Sequence, residues 1–193
     1  MIETLKDAPS HLKSWTHYIQ YGDHNVPDDD AKVHLYVGNN SLRSEDLKTL
    51  KPKHWLNDQV IHAYLDVLSM DVNAIKPTVH VIPSFLAVKW ESGDHTSCLY
   101  PKVAFEKFKW ILLPICTNHH WLLLIADMVN NTVGVLNSLD WDQSRHDPFL
   151  TSWKSFMSAR GLKEEWSVAR YISSIQQDGD SCGVFVLMCS FVV

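Results

Sequence analysis

Long apolar runs mark the middle of the chain as its buried centre. One run covers Lys109 to Ile115 and another covers His120 to Asp127, with a third from Val133 to Asn137 after an Asn130-Asn131 pair. Apolar runs with little polar alternation are typical of strands that are covered on both faces. An Asn-Asn pair between two such runs favours a tight turn. The pattern therefore predicts a hairpin in the middle of a helix-covered sheet.

Apolar residues at helical spacing predict the main helices. Val60, Ile61 and Leu65 share one face of a helix that Asn57 is placed to cap. We expect further elements as follows: strands at 33–38, 79–83 and 167–172, and helices at 44–50 with Ser44 as its cap, at 84–90, at 148–160 ended by Gly161, and from Cys182 to Val193. The alternation predicts an α+β domain with a central mixed sheet over residues 33–193. Residues 1–32 are expected to be an irregular lead-in with one short helix around Trp15.

Composition narrows the class of protein. The chain has 193 residues, 46% of them hydrophobic, which is enough for one sizeable core. Its net charge is −5 and its basic residues are scattered, so nucleic acid is not expected as a partner. The sequence shows no signal region and no apolar run long enough for a membrane helix. We expect a monomer that works inside the cell, in the nucleus or cytoplasm.

The cysteines indicate a reducing compartment and no metal site. The four are Cys98, Cys116, Cys182 and Cys189, and no two of them form a Cys-x-x-Cys pair or share zinc-type spacing with histidine. Neither a metal nor another cofactor is expected.

Cys182 is the candidate nucleophile. It lies where a polar loop, Ser174 to Ser181, runs into an apolar helix that continues with Gly183. A helix amino terminus favours a thiolate over a thiol, and Gln176 in the same loop is placed to donate to an oxyanion. The alternative is that Cys182 is a small buried hydrophobic residue.

His120 is the candidate base. It opens one strand of the predicted hairpin, and Asn137 ends the next, so the two side chains should be neighbours. The alternative for His120 is a satisfied structural histidine. His146 lies in a charged loop, and we expect it to be solvated.

Four motifs in a fixed order resemble the ubiquitin-like-protein proteases, the SUMO (sentrin)-specific and related cysteine proteases. They are Trp55-Leu56-Asn57-Asp58, His120-Trp121, Asn137-Ser138-Leu139 and Gln176 to Gly183. The resemblance implies a papain-like fold with Cys182 as nucleophile, His120 as general base and Gln176 as oxyanion donor. It further implies that Trp55 and Trp121 roof a channel for the Gly-Gly tail of a SUMO- or NEDD8-like protein. Asp58 would contact a basic residue of that partner, or only favour the helix dipole.

Two positions depart from the family pattern. Asn137 stands where the family usually has Asp, and Ser181 stands where Asp commonly precedes the cysteine. In a serine enzyme, Asp to Asn costs about ten-thousand-fold in turnover, whereas Cys-His-Asn sites are active. We therefore expect an active protease in which Asn137 is a weakened third member of the catalytic triad. A catalytically impaired module that only binds ubiquitin-like proteins is the alternative.

The predicted last helix is apolar to its end at Val193. An apolar helix of this kind must be buried against another part of the protein. We therefore expect the carboxyl-terminal end of the domain to be incomplete.

Overall fold

A five-stranded mixed sheet forms the centre of the computed structural model, which describes residues 33–37, 40–95, 103–139, 143–162 and 165–190. Its strand order is β3-β4-β5-β6-β7, with the outer pairs parallel and the inner pairs antiparallel. A separate antiparallel pair joins β1 and β2. The strands are β1 (Val33–Val37), β2 (Asn40–Arg43), β3 (Val79–Val81), β4 (Trp110–Thr117), β5 (His120–Asp127), β6 (Thr132–Leu136) and β7 (Ser167–Val168).

Helices cover both faces of this sheet, as the apolar runs predicted. They are α1 (Ser44–Lys48), α2 (Asp58–Val72), α3 (Phe85–Glu91), α4 (Asp147–Ser158) and α5 (Cys182–Cys189). Helices α3 and α4 pack on one face, and α1, α2 and α5 pack on the other. The prediction of an α+β domain with a mixed sheet is confirmed.

Alternate residues of the inner strands enter different cores. Ile111 and Leu113 of β4 join the core under α3 and α4, whereas Leu112 between them joins the core under α2 and α5. Neighbouring side chains of a strand point to opposite faces, so one strand contributes to both layers. Each fully buried aliphatic side chain contributes on the order of 2 kcal/mol.

Two tight turns set the ends of the central strands. Asn118 and His119 both have positive φ, 48° and 61°, and join β4 to β5. Two residues with positive φ match a two-residue hairpin turn. Thr117 therefore pairs with His120, which becomes the first residue of β5. The predicted turn at Asn130-Asn131 is confirmed, and Asn131 has a φ of 53°.

The predicted helix ends are partly right. The Asn57 side chain caps α2 by accepting the Val60 N–H at 3.1 Å. Gly161, with a φ of 65°, follows the end of α4 as predicted. Ser44 as a cap is wrong, because it is the first residue of α1 and is buried. The Asp46 carboxylate instead accepts the Arg43 N–H at 2.7 Å, which secures this helix start from within the first turn.

Several boundaries differ from the predictions. The strand β2 was not predicted, and the strand expected at 167–172 is assigned only at Ser167–Val168. The last helix is described over Cys182–Cys189, and its predicted end at Val193 falls outside the described residues. The expected helix around Trp15, Cys98 and the last three residues lie outside the described residues. None of the helices in the described ranges combines the length and the hydropathy that a bilayer crossing requires.

Candidate active site

Cys182 is the first residue of α5 and is only 2% exposed. The next residue, Gly183, packs so closely on Leu56 that a Cβ added to it would lie 3.0 Å from the Leu56 Cβ. A glycine here therefore lets the start of α5 approach the start of α2. The thiol therefore lies at the amino-terminal, positive end of the α5 dipole.

Asp178 shapes the loop that delivers Cys182. Its Oδ1 accepts the Ser181 hydroxyl at 2.6 Å and the Ser181 and Asp180 N–H groups at 2.9 and 3.1 Å. These bonds, led by the one from the Ser181 hydroxyl, lower the pKa of Asp178 to about 2. Sequence reasoning missed this role. The signal was available, because an Asp before Gly with Ser three positions on is typical of a side-chain-closed turn.

Gln176 is buried and its amide is held at both ends. Its Oε1 accepts the Ser138 hydroxyl at 2.5 Å, and its Nε2 donates to the Asp178 carbonyl at 2.8 Å. The Gln176 backbone N–H also donates to the Ser138 carbonyl at 2.8 Å. Ser138, which is 3% exposed, thus links the loop before Cys182 to the end of β6. Apart from the Asn-Ser-Leu motif, no sequence pattern indicates this link.

His120 and Asn137 are in direct contact, as the hairpin predicted. The Nε2 of His120 lies 2.8 Å from the Oδ1 of Asn137. His120 is 6% exposed, and its burial lowers the pKa of the imidazole, while its hydrogen bond to the Asn137 oxygen opposes that shift. A neutral His120 at neutral pH is therefore favoured. Since Asn137 Oδ1 can only accept, the neutral ring carries its proton on Nε2, and Nδ1 is the basic nitrogen.

The Asn137 amide also contacts His146. Its Oδ1 accepts the Leu139 N–H at 2.9 Å, and its Nδ2 lies 3.3 Å from the Nε2 of His146. The prediction that His146 is solvated is wrong, because this residue is only 5% exposed. It directly precedes α4, whose Phe149 and Leu150 pack in the core on that face of the sheet. Burial lowers the pKa of His146, against the opposing charge of Asp147.

The thiol and the amide share one small pocket. Its lining includes Cys182, Asn137, Ser138 and Trp121. On the neighbouring strand, Cys116 pairs with Trp121. The pKa of Cys116 is raised, first by burial and next by the charge of Cys182. Cys182 therefore lies against the end of the β4–β5 hairpin at which β5 begins with His120.

The two tryptophans of the predicted channel differ in exposure. Trp55 is 51% exposed, stacks on His119 with ring centroids 5.8 Å apart, and donates from its indole N–H to the Gly179 carbonyl at 2.8 Å. Trp121 is 6% exposed and donates to the Leu56 carbonyl at 2.8 Å. Together they fasten the segment before α2 to the hairpin and to the loop before Cys182.

Asp58 is exposed at the first position of α2. Its charge lies close enough to contribute to the raised pKa of Cys116, after burial and the charge of Cys182. Among the described residues, no three His, Cys, Asp or Glu side chains are grouped as metal ligands.

Comparison with known proteins places this arrangement in a family. Residues 54–192 match the model described as the Ulp1 protease family, C-terminal catalytic domain. Human sentrin-specific protease 2 is 32% identical over 151 residues, which is 72% of this chain and 26% of that protein. Ubiquitin-like-specific protease 1 of Saccharomyces cerevisiae is 26% identical over 159 residues, 78% of this chain and 25% of that protein. The chain thus spans about a quarter of the length of these two relatives.

Solved structures support the same fold. The C-terminal Ulp1 protease domain in complex with Smt3, the yeast ortholog of SUMO, matches with a TM-score of 0.72 at 22% identity. That match covers 95% of this chain and 82% of the other. Ulp1 with its catalytic cysteine oxidised to a sulfinic acid matches with a TM-score of 0.71 at 21% identity, over 95% of this chain and 83% of the other. The predicted ubiquitin-like-protease fold is confirmed.

Proposed function

The chain belongs to the Ulp1 protease family, and we propose that it cleaves the bond after the carboxyl-terminal Gly-Gly of a ubiquitin-like protein. The observation that carries the proposal is the His120–Asn137 hydrogen bond beside the pocket that Cys182 lines. A SUMO-type partner is favoured over a NEDD8-type one, because a similar solved domain was captured with Smt3. The proposal needs no cofactor and treats residues 33–193 as one protease domain that acts as a monomer.

Cys182 and His120 carry the covalent chemistry in this proposal. Nδ1 of His120 takes the thiol proton, and the thiolate attacks the carbonyl carbon of the second glycine to form a tetrahedral adduct. His120 then gives that proton to the leaving amine as the carbon–nitrogen bond breaks, which leaves a thioester on Cys182. Water, activated by the again neutral His120, attacks the thioester. The acid is released, and the thiol is restored.

Gln176 and the start of α5 would hold the oxyanion. One N–H of the Gln176 amide donates to Asp178, and the other can donate to the adduct oxygen. Because the Ser138 hydroxyl donates to Oε1 and holds that end of the side chain, the amide is already oriented before substrate arrives. The N–H groups of the first turn of α5 add further donors.

Trp55 is the better placed of the two tryptophans to cover a glycine tail. Half of its surface is exposed, and its bond to Gly179 holds the indole over the loop before Cys182. A side chain on the tail would collide with the indole face, so glycine is expected there. Trp121 would form the inner wall, and Asp58 would offer its carboxylate to a basic residue on the partner.

An electrophilic probe tests the proposal. We expect a SUMO-type protein with a thiol-reactive carboxyl terminus to label the natural chain and Cys189→Ala, but not Cys182→Ala. Cys189 is a matched control because it lies on the same helix, with its sulfur 3.7 Å from the Ser173 hydroxyl. A NEDD8-type probe in parallel reports specificity.

Three results would contradict the proposal. Binding of the probe without labelling would indicate a module that only binds ubiquitin-like proteins. Equal loss of labelling in both cysteine variants would indicate collapse of α5 and not loss of the nucleophile. Absence of both binding and labelling with either probe would reject a ubiquitin-like partner.

A further inference from the structure

His146 is a buried histidine that the proposed chemistry does not use. It lies at the far end of a chain of polar contacts that starts at the candidate base. His120 Nε2 is 2.8 Å from Asn137 Oδ1, and Asn137 Nδ2 is 3.3 Å from His146 Nε2. A single amide thus joins two imidazoles, one at the start of β5 and one directly before α4.

The contacts around Asn137 define the orientation of its amide. The Leu139 N–H can only donate, and it lies 2.9 Å from the atom on the His120 side, so that atom is the oxygen. The nitrogen then faces His146 and needs an acceptor. A neutral His146 whose proton is on Nδ1 presents a lone pair at Nε2 and supplies that acceptor. A protonated His146, or the opposite tautomer, could not.

The backbone holds His146 where this bond needs it. Its carbonyl accepts the Phe149 and Leu150 N–H groups at 3.0 and 3.2 Å, which makes it part of the first turn of α4. Phe149 and Leu150 are buried in the core on that face of the sheet. The backbone of His146 is therefore fixed by α4, and burial favours the neutral imidazole that can accept, because it lowers the pKa of the ring.

We infer that His146 is a positioning residue, which orients the Asn137 amide so that its oxygen faces His120. The inference rests on the proposed function for its catalytic consequence. Without an acceptor on the nitrogen side, only the Leu139 N–H and His120 itself still favour this orientation, so the amide turns more readily and offers its N–H groups to the base. That orientation would favour the wrong His120 tautomer, as Asn does in place of the acid of a serine protease.

A carboxylate at position 137 would not need this partner. Both of its oxygens accept, so no rotation can present a donor to His120. Asn137 and His146 are thus a matched pair, and the requirement for His146 should disappear when the amide is replaced by a carboxylate. This difference separates positioning from a general packing role.

A double-mutant cycle tests the inference with a cleavable SUMO-type substrate. We expect His146→Leu to lower kcat by about 10- to 100-fold, the range for partners that orient functional side chains, with KM changed by less than about twofold. His146→Gln retains an acceptor oxygen and should restore most of kcat. In the Asn137→Asp background, His146→Leu should lower kcat by less than about threefold. An equal loss in both backgrounds would overturn the inference.

A second measurement does not depend on activity. Nitrogen-15 NMR of the histidine rings should show His146 protonated on Nδ1 and His120 protonated on Nε2 at neutral pH. In His146→Leu, the His120 ring should lose its uniform tautomer. Finding His146 protonated on Nε2 would overturn the inference even if the protease is active. Conversely, the expected tautomers in a protein without protease activity would support the inference and reject the proposed function.

Discussion

Asn137 places a neutral amide where the family usually has a carboxylate, and its hydrogen bond to His120 should be weaker for that reason. A charge-assisted bond is stronger than a neutral one by about 1 kcal/mol, which corresponds to roughly a fivefold change in rate. We expect Asn137→Asp to raise kcat by about that factor, because a carboxylate better stabilises the imidazolium form of His120. Steady-state cleavage of a SUMO-type precursor measures this.

The matched control for that variant is Asn131→Asp, which makes the same change of charge in the turn between β5 and β6. It should leave kcat unaltered. An unchanged kcat in Asn137→Asp would show that the position hardly matters for turnover, and a lower one would show that the chain is adapted to the amide.

Sequence reasoning located the site residues that lie at the ends of neighbouring strands, since a hairpin brings those ends together whatever the rest of the fold does. His120 and Asn137 are the example. It failed for His146, whose burial depends on how α4 docks on the sheet. It also missed the Ser138–Gln176 bond, because 38 residues separate the two partners. No local pattern encodes contacts of that kind.

The start of α2 is joined to α1 and β2 through two side chains, Asn57 and Asp46. The Asn57 oxygen caps the helix at Val60, and its Nδ2 donates to Asp46 Oδ1 of α1 at 2.7 Å. The other oxygen of Asp46 accepts the Arg43 N–H at the end of β2. Sequence identified the cap, because Asn before an apolar helix is a local signal, but it could not identify the link to α1.

We expect Asn57→Ala to lower the free energy of unfolding by about 1–2 kcal/mol, because both the cap and the bond to Asp46 are lost. Asn57→Ser keeps a capping oxygen but is too short to reach Asp46, so it should cost about half as much. Urea denaturation of the two variants and the natural chain measures the difference. Equal losses in both variants would show that the link between α1 and α2 adds nothing to the cap.

The strands β2 and β7, which have little apolar pattern of their own, were the least predictable. The strand β2 reads Asn-Ser-Leu-Arg, which shows no apolar alternation, and it is extended because it pairs with β1. At one edge of the five-stranded sheet, β7 has two exposed residues that pair with β6, and the Ala169 N–H extends this contact to the Val133 carbonyl. The central strands carry their own apolar signal, whereas these edge strands are defined by their partners.

The whole molecule brings the site together from both faces of its sheet. Helix α5 delivers Cys182 from the core that α2 covers, and α4 delivers His146 from the opposite core. Asn137 follows β6, the strand between these layers, and contacts His120 on one side and His146 on the other. The site therefore depends on correct docking of both helix layers, and not on the hairpin alone.

Burial of histidines makes the stability of the whole fold depend on pH. Burial lowers the pKa of His62, His120 and His146, and lowers that of His80 to about 4. His80 packs on Phe105 and Phe108, with ring centroids 5.6 and 5.1 Å away. Between the unfolded value of 6.5 and about 4, the unfolded chain binds more protons than the folded one. Stability is thus fully present above about pH 6.5 and is lost as the pH falls towards 4.

We expect His80→Gln to reduce the loss of stability at low pH, because the variant removes the histidine whose pKa is lowered to about 4. Urea denaturation at intervals from pH 7.5 to pH 4 would give the free energy of unfolding of each protein, and its slope gives the difference in bound protons. The variant should show a slope smaller by up to about one proton in this range. His54→Gln, at an exposed position, is the control. Identical slopes for His80→Gln and the natural chain would mean that the burial of His80 does not contribute to acid destabilisation.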